Sequence, residues 1–193
     1  MKDIELVREL TSTGKEFFTL ADLEKVTGLA RRSLKVSLNR WLKRGVLERA
    51  GPSIYVVTGA TVSVEVIAGQ LYFPCYMSFE SALNRSGVLN LVPYSLTFAT
   101  SRKTRTITIL ERDVVYRQIK EELFFGFGLM GAVYVAEPEK ALLDLVYMVT
   151  LGKASLPFEE MNFRSISRQK LLDYGRRFPP RVEKRLDEML TKA

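Results

Sequence analysis

FTLADLEKVTGLARRSLKVSLNRWLKRGVLERAGPSIYVV, residues 18–57, is the stretch that decides the fold of the first part of the chain. Thr19 is a suitable N-cap and Asp22 follows three residues later, which predicts the start of a helix that ends at Gly28. A second helix follows at once, from about residue 30 to 44, and stops at Gly45. Two helices joined by a short turn that contains glycine indicate a helix-turn-helix arrangement.

The helix over residues 30–44 has one apolar and one basic face. At about 100° per residue, one stripe collects Leu34, Leu38, Trp41 and Leu42, and we expect these to enter a core. The opposite side collects Arg32, Val36, Asn39 and Lys43, with Lys35 and Arg40 beside them. Six basic and no acidic residues lie between Ala30 and Gly45. Since a solvated structural helix normally mixes both signs of charge, this helix is predicted to face a polyanion.

Two β-rich runs complete the domain. Residues 46–49 and 54–57 flank a turn with the sequence Ala-Gly-Pro-Ser, which predicts a hairpin directly after the basic helix. Residues 3–12 have apolar residues at helical spacing and predict a first helix before this region. Three helices and a hairpin in this order resemble the winged-helix domains of bacterial and archaeal regulators. We therefore predict a winged helix-turn-helix domain over residues 1–58.

This fold predicts a set of DNA contacts. The amino-terminal half of the basic helix would enter the major groove, where Arg31 and Arg32 could reach guanine edges or phosphates and Asn39 could read adenine. Lys35, Arg40 and Lys43 are assigned to phosphates, which set position rather than sequence. The predicted DNA-binding residues are Arg31, Arg32, Ser33, Lys35, Val36, Asn39, Arg40, Lys43 and, at the wing, Arg49.

Composition excludes several other classes of protein. The 193 residues carry 29 basic and 22 acidic side chains, a net charge of +7, which favours an anionic partner. With one cysteine and no histidine, a disulfide framework, a Cys/His zinc site and every histidine-dependent nucleophile are excluded. We expect no catalytic residues, no metal and no cofactor. The charged amino terminus and the lack of a long apolar run predict a cytoplasmic chain without a membrane partner.

Residues 59–193 predict a second, mixed α+β domain, so that the whole chain is expected to be α+β. A linker and then a strand or short helix are expected over residues 59–70. A helix is predicted from Ser78, as its N-cap, to Gly87. Further helices are predicted over 140–149 with Pro138 in the first turn, and over 165–175 and 180–191. Strands are predicted at 96–100 and 104–110, joined as a hairpin by a basic turn, and at 114–116 and 123–127.

Several segments of this second domain resemble a known family. MSFESALNRSGVLN (77–90), TFATSRKTRTI (97–107), Val115-Tyr116-Arg117, Phe-Phe-Gly (124–126) and VAEPEKALLDLVYM (135–148) occur in the order seen in the AbiEi family. This family comprises antitoxins and regulators of abortive-infection toxin–antitoxin operons, and the resemblance covers roughly residues 15–150. It implies a winged helix that binds inverted repeats at its own promoter as a repressor. It also implies a carboxy-terminal domain that counteracts a nucleotidyltransferase toxin, with monomer and dimer on DNA both open.

Four features of the second domain have two interpretations each. Arg102, Lys103 and Arg105 form a basic cluster that is either a solubilising turn or a second contact to nucleic acid or an acidic partner. Glu137, Glu139, Lys140 and Asp144 could form an acid–base site, but negative charge suits a helix's first turn and Lys140–Asp144 is an i,i+4 pair. Cys75 is expected to be packed rather than nucleophilic. Phe124–Phe127 is predicted to be a buried strand or a partner-facing edge.

Two further functions therefore stand beside the repressor. A ligand-sensing regulator would enclose a small molecule in an apolar pocket of the second domain and release DNA when the ligand binds. An enzyme acting on nucleic acid would use the winged helix for delivery, and the lack of histidine and of clustered carboxylates counts against it.

Overall fold

The computed structural model describes residues 2–190, and the chain divides into two compact units. The first unit contains Met1–Ala68 together with Ile107–Arg112, and the second contains Gly69–Thr106 together with Asp113–Ala193. The sequence analysis predicts that the first domain ends at residue 58. The first unit reaches further because the backbone N–H of Ser63 donates to Glu16 Oε2 at 3.2 Å, and because a later hairpin tip returns to it.

The first unit is a winged helix. Its elements are α1 (Asp3–Ser12), β1 (Phe18–Thr19), α2 (Leu20–Thr27), α3 (Arg31–Lys43), β2 (Leu47–Gly51) and β3 (Ile54–Val57). The three strands pair antiparallel in the order β1-β3-β2, with β2 and β3 forming the wing. The predicted helices and wing are confirmed, whereas β1 was not predicted.

The apolar stripes of the helices meet in one core. Leu34, Leu38 and Trp41 of α3 are buried there, as the helical spacing predicted. The remaining buried members come from α1, α2 and the strands: Leu6, Leu10, Phe18, Leu23, Leu47 and Tyr55. Packing the apolar stripe of α3 inward leaves its opposite face in solvent.

A reciprocal capping box begins α2. Thr19 Oγ1 accepts from the Asp22 N–H at 3.2 Å, and Asp22 Oδ2 accepts from the Thr19 N–H at 2.9 Å. Burial raises the pKa of Asp22, but hydrogen bonds from Lys15 and Thr19 outweigh it and the net pKa lies below the usual value. The helix ends at Gly28, whose φ of +66° is the left-handed conformation that glycine adopts without strain.

Thr19→Ala should lower the free energy of unfolding by about 1 kcal/mol, since it removes the N-cap acceptor of α2. Urea unfolding followed by the fluorescence of Trp41, the single tryptophan, measures this change in the unit that contains the cap. Thr58→Ala, at an exposed threonine, is the matched control and should stay within about 0.5 kcal/mol of the parent. Equal effects of the two substitutions would contradict a stabilising cap.

The second half of the chain alternates helices and strands. In chain order the elements are α4 (Val64–Leu71), β4 (Cys75–Met77), α5 (Phe79–Arg85), β5 (Leu96–Thr100), β6 (Arg105–Ile109), β7 (Arg112–Gln118), β8 (Phe127–Met130), β9 (Val133–Ala136), α6 (Pro138–Thr150), α7 (Arg168–Gly175) and α8 (Pro180–Leu190). The predicted end of the last helix at residue 191 lies outside the described residues. Together with the winged helix, these elements confirm the α+β class.

Six strands form one mixed sheet in the order β6-β7-β5-β4-β9-β8. The pairs β4–β5 and β8–β9 are antiparallel, and the pairs β5–β7 and β4–β9 are parallel. Helix α6 is almost wholly buried, from Glu139 to Met148. Its proline stands at the first helical position, as predicted.

Three local predictions for this half are wrong. Strands β5 and β6 do not form a hairpin, because β7 lies between them in the sheet. Residues 123–127 are not one strand, since Gly126 turns the chain at φ +69° and β8 begins only at Phe127. Ser78 stands at the N-cap of α5 but does not cap it, because its hydroxyl donates to Asp144 Oδ2 at 2.8 Å instead. Residues 64–71, left open as strand or helix, form α4.

Among residues 2–190, no helix is long and apolar enough to cross a membrane.

Candidate nucleic-acid interface

The exposed face of α3 carries most of the predicted DNA-binding residues. All eight predicted positions on this helix are exposed: Arg31, Arg32, Ser33, Lys35, Val36, Asn39, Arg40 and Lys43. The buried Leu34, Leu38 and Trp41 on the other side fix which way this face points. The helix therefore presents a continuous surface of cationic and amide side chains with no carboxylate on it.

The beginning of α3 adds backbone donors to this surface. No side chain caps the helix at Ala30 and its first turn contains no acidic residue. Backbone N–H groups of a first helical turn, at the positive end of the helix dipole, favour an anion such as a phosphate. Arg31 and Arg32 stand in the same turn, so the cationic side chains and the backbone donors act on the same region.

One basic residue of α3 has an acidic neighbour in the structure. Arg31 Nη1 lies 3.7 Å from Glu24 Oε1 of α2, and the Arg31 side chain is 63% exposed. A solvated pair at this distance contributes about 0–1 kcal/mol. Arg31 can therefore leave Glu24 for a phosphate at little cost.

The wing places a further cation at its first strand. Arg49 on β2 is exposed, and its guanidinium carbon lies 5.7 Å from the centre of the Tyr55 ring on β3. The strands are joined by a tight turn in which Ser53 adopts φ +60°. This stacking gives Arg49 a preferred position on the wing.

The turn of the β6–β7 hairpin contacts the wing, and no feature of the sequence predicted this contact. The Leu110 N–H, in the turn between β6 and β7, donates to the Ala50 carbonyl of β2 at 2.7 Å. A Cβ at Gly51 would lie 2.9 Å from the Thr108 carbonyl oxygen, so only glycine fits there. The wing therefore rests on residues that are far away in the sequence.

Arg102 and Lys103 of the second basic cluster lie on a loop rather than on a hairpin turn, and Arg105 begins β6. Arg102, Lys103 and Arg105 are all exposed, and Arg102 stacks on the Tyr72 ring at 4.3 Å. The Tyr72 hydroxyl donates to the Lys103 carbonyl at 2.9 Å, and Arg102 Nη1 donates to the Phe73 carbonyl at 3.3 Å. These contacts order the loop.

The Lys140–Asp144 pair is buried at the centre of the second unit. Both side chains have no exposed surface and form an ion pair within α6. Lys140 Nζ also donates to the Tyr76 hydroxyl at 2.8 Å, which in turn donates to Asp144 Oδ2 at 2.9 Å. With the Ser78 hydroxyl on the same carboxylate oxygen, four polar side chains form one closed hydrogen-bonded cluster.

Aromatic rings enclose this buried cluster. Phe127 stacks on Tyr76 with ring centres 4.2 Å apart, and Lys140 Nζ lies 5.1 Å from the centre of the Phe125 ring. Burial lowers the pKa of Lys140, and the Asp144 carboxylate opposes that change. Burial raises the pKa of Tyr76, and the charge of Asp144 raises it further. Throughout residues 2–190, every fully buried side-chain nitrogen or oxygen has a hydrogen-bond partner.

The other members of the α6 acid–base candidate have structural partners. Tyr174 donates to Glu137 Oε2 at 2.5 Å, and Lys170 Nζ lies 2.9 Å from the same oxygen. Glu139 Oε1 accepts from the Ser167 N–H at 2.8 Å. The two glutamates thus tie the start of α6 to the segment around α7. Of the four candidate residues, Lys140 and Asp144 are sealed from solvent. Glu137 and Glu139 are bonded to residues of neighbouring elements.

Cys75 is buried in β4, as predicted for a packed side chain. Burial raises the pKa of its thiol to about 12, so the neutral form dominates at pH 7. A neutral, enclosed thiol is a poor nucleophile.

The geometry of the first unit defines a winged helix-turn-helix with a basic, solvent-facing third helix. Residues 5–58 match the family described as transcriptional regulator, AbiEi antitoxin. This match confirms, for residues 5–58, the similarity to AbiEi-type regulators that was inferred from the sequence.

The fold of the whole chain is similar to a solved structure. The crystal structure of the RV2827C protein from Mycobacterium tuberculosis superposes with a TM-score of 0.65 over 97% of this chain and 76% of that chain. The sequences are 13% identical, so the likeness shows a shared fold. No curated protein matches the sequence significantly.

Proposed function

We propose that this protein is a DNA-binding transcriptional repressor and the antitoxin of an AbiE-like toxin–antitoxin system. The observation that carries the proposal is the exposed face of α3, which is basic throughout and contains no carboxylate. In a winged helix this is the helix that enters the major groove, while the wing reaches the flanking backbone. The family match over residues 5–58 supports the regulatory role.

The residues of the interface divide into two roles in this proposal. Arg32 and Asn39 read base edges, because an arginine can contact guanine and an asparagine adenine through paired hydrogen bonds. Lys35, Arg40, Lys43 and Arg49 hold phosphates and set the salt dependence of binding. The family resemblance adds two further elements to the proposal. The operator that the winged helix binds contains inverted repeats, and the second unit opposes a nucleotidyltransferase toxin.

The proposed role is not enzymatic. Lys140 and Asp144, the strongest candidates for acid–base chemistry, are fully buried and bonded to Tyr76 and Ser78. A substrate could reach them only after the second unit had opened. Within the described part of the chain, no group of three or more Cys, Asp or Glu side chains could hold a metal ion. The burial of the Lys140–Asp144 pair favours binding over catalysis.

Arg32→Ala and Asn39→Ala should each reduce the preference for operator over unrelated DNA by about 5- to 150-fold, equivalent to about 1–3 kcal/mol. Lys43→Ala should weaken binding to both DNAs alike and flatten the dependence on salt. Gel-shift titration on the DNA upstream of the protein's own gene, against unrelated DNA at about 150 mM salt, separates the two effects.

Lys153→Ala is the matched control, because this exposed lysine belongs to the second unit and not to the winged helix. It should leave both affinities unchanged. If the parent protein binds its upstream DNA no more tightly than unrelated DNA, the repressor proposal is wrong. If Lys43→Ala and Asn39→Ala change specificity equally, the division into base and phosphate contacts is wrong.

A further inference from the structure

Strand β8 lies at the outer edge of the six-stranded sheet and exposes apolar side chains. It pairs with β9 on one side and is the last strand in the sheet order on the other. Leu129 is 62% exposed and Met130 53% exposed, and Tyr134 of β9 is 42% exposed. This edge therefore combines open backbone positions with an apolar surface.

The register shows which backbone groups of β8 face outward. The Glu137 N–H donates to the Gly126 carbonyl at 3.0 Å, so Gly126 and Glu137 form a hydrogen-bonded pair. In the same antiparallel register, Gly128 pairs with Val135 two residues further along. Hydrogen-bonded and non-hydrogen-bonded pairs alternate along an antiparallel ladder. The backbone groups of Gly128 consequently face β9, whereas the N–H and C=O groups of Phe127 and Leu129 face the open edge.

The edge lacks the usual protection against pairing. Natural sheets shield edge strands with charged side chains, proline or a covering element. Residues 123–136 contain no charged residue and no proline, although the chain as a whole has a net charge of +7. A neutral, apolar edge strand in a basic protein fits a partner strand that is itself neutral and apolar.

We propose that β8 pairs with β8 of a second copy of this chain, antiparallel and with the two-fold axis at Gly128. In this register Phe127 lies opposite Leu129 of the second copy, and the reverse pair forms by symmetry. Each pair exchanges two backbone hydrogen bonds, so the four outward-facing donors and four outward-facing acceptors are all satisfied. The two sheets become one continuous sheet of twelve strands.

The side chains of β8 suit this symmetric arrangement. Phe127 and Leu129 lie on the same face of the strand, so each pair across the interface joins an aromatic and an aliphatic side chain. Gly128 meets its own copy at the axis, where a glycine presents no side chain. No like charges meet, because β8 carries none. The strand is therefore complementary to itself in backbone, shape and charge.

A cysteine at the axis tests the register directly. Gly128 and its copy would form a non-hydrogen-bonded pair, with Cα atoms about 4.5 Å apart, which lies within the range of about 4.4–6.8 Å that a disulfide spans. A Cβ at Gly128 meets nothing within 4 Å, so Gly128→Cys is accommodated. We expect Gly128→Cys to form a covalent dimer on mild oxidation with diamide, seen on a non-reducing gel.

Ala132→Cys is the matched control on the same hairpin. Ala132 is exposed and lies in the turn after β8, which places the two copies of this position on opposite sides of the axis and roughly 20 Å apart, beyond the reach of a disulfide. It should give no rapid covalent dimer. The native Cys75 does not interfere, because it is buried. Equal cross-linking of Ala132→Cys and Gly128→Cys, or none with either, would overturn the proposed register.

Oligomeric state without cross-linking provides the second measurement. The parent protein should sediment as a dimer in analytical ultracentrifugation, and Leu129→Lys should be monomeric, with an unchanged circular dichroism spectrum. Leu91→Lys places the same charge at another exposed leucine, 54% exposed, and should remain a dimer. A monomeric parent, or a dimer that survives Leu129→Lys, would rule out pairing through β8. Neither result depends on whether the protein binds DNA.

Discussion

Asp144→Asn should lower the free energy of unfolding by about 3–5 kcal/mol, the largest loss that we expect from one substitution in this chain. The replacement removes the counter-charge of Lys140 in a site with no exposed surface. The ammonium group must then stay charged without a carboxylate or lose its proton. Urea unfolding followed by far-ultraviolet circular dichroism measures the loss.

A double-mutant cycle identifies the origin of this loss. Lys140→Met should also be strongly destabilising alone, because it leaves the Asp144 charge buried without its cation. Lys140→Met combined with Asp144→Asn should cost less than the sum, since no net charge remains buried and the asparagine can still accept hydrogen bonds from Tyr76 and Ser78. The exposed Arg185–Glu188 pair provides the control, and Glu188→Gln should cost below about 1 kcal/mol. Additive effects of the two buried substitutions would contradict a coupled pair.

Leu34→Ala should destabilise the first unit by about 2–5 kcal/mol and abolish specific DNA binding. Leu34 is completely buried in α3, so the shorter side chain leaves a cavity beneath the proposed reading face. Trp41 belongs to the same core, and its fluorescence during urea unfolding therefore reports on this unit.

Val36→Ala on the same helix is the matched control for Leu34→Ala. Val36 is 52% exposed and should change stability by less than about 0.5 kcal/mol. If Leu34→Ala and Val36→Ala had equal effects on stability, the assignment of a buried and an exposed face to α3 would be wrong.

The first unit could be predicted from the sequence because its signals are local. Thr19 and Asp22 are three residues apart, and the apolar stripe of α3 repeats within thirteen residues. Only β1 was missed there, since a two-residue strand has no periodicity of its own and is defined by its pairing with β3. The exposure of the proposed DNA-binding residues followed directly from the helical spacing.

The second unit was predicted less well because its structure depends on distant partners. The spacing of Lys140 and Asp144 indicated an i,i+4 pair, but their burial depends on Tyr76, which is 64 residues before Lys140. Residues 96–110 looked like a hairpin, yet β7 inserts between the two strands, and neither strand contains a sign of that insertion. The apolar run 123–127 has the composition of a strand, but Gly126 turns the chain within it.

The hairpin tip behind the wing has a consequence for the synthesis of the protein. The first unit includes Ile107–Arg112, so its last piece is translated 44 residues after Ala68. At about 5–20 residues per second, the ribosome needs roughly 2–9 s to add that length. During this interval the nascent winged helix lacks the β6–β7 turn, whose Leu110 N–H donates to the Ala50 carbonyl. A fragment truncated at residue 58 would lack this contact permanently.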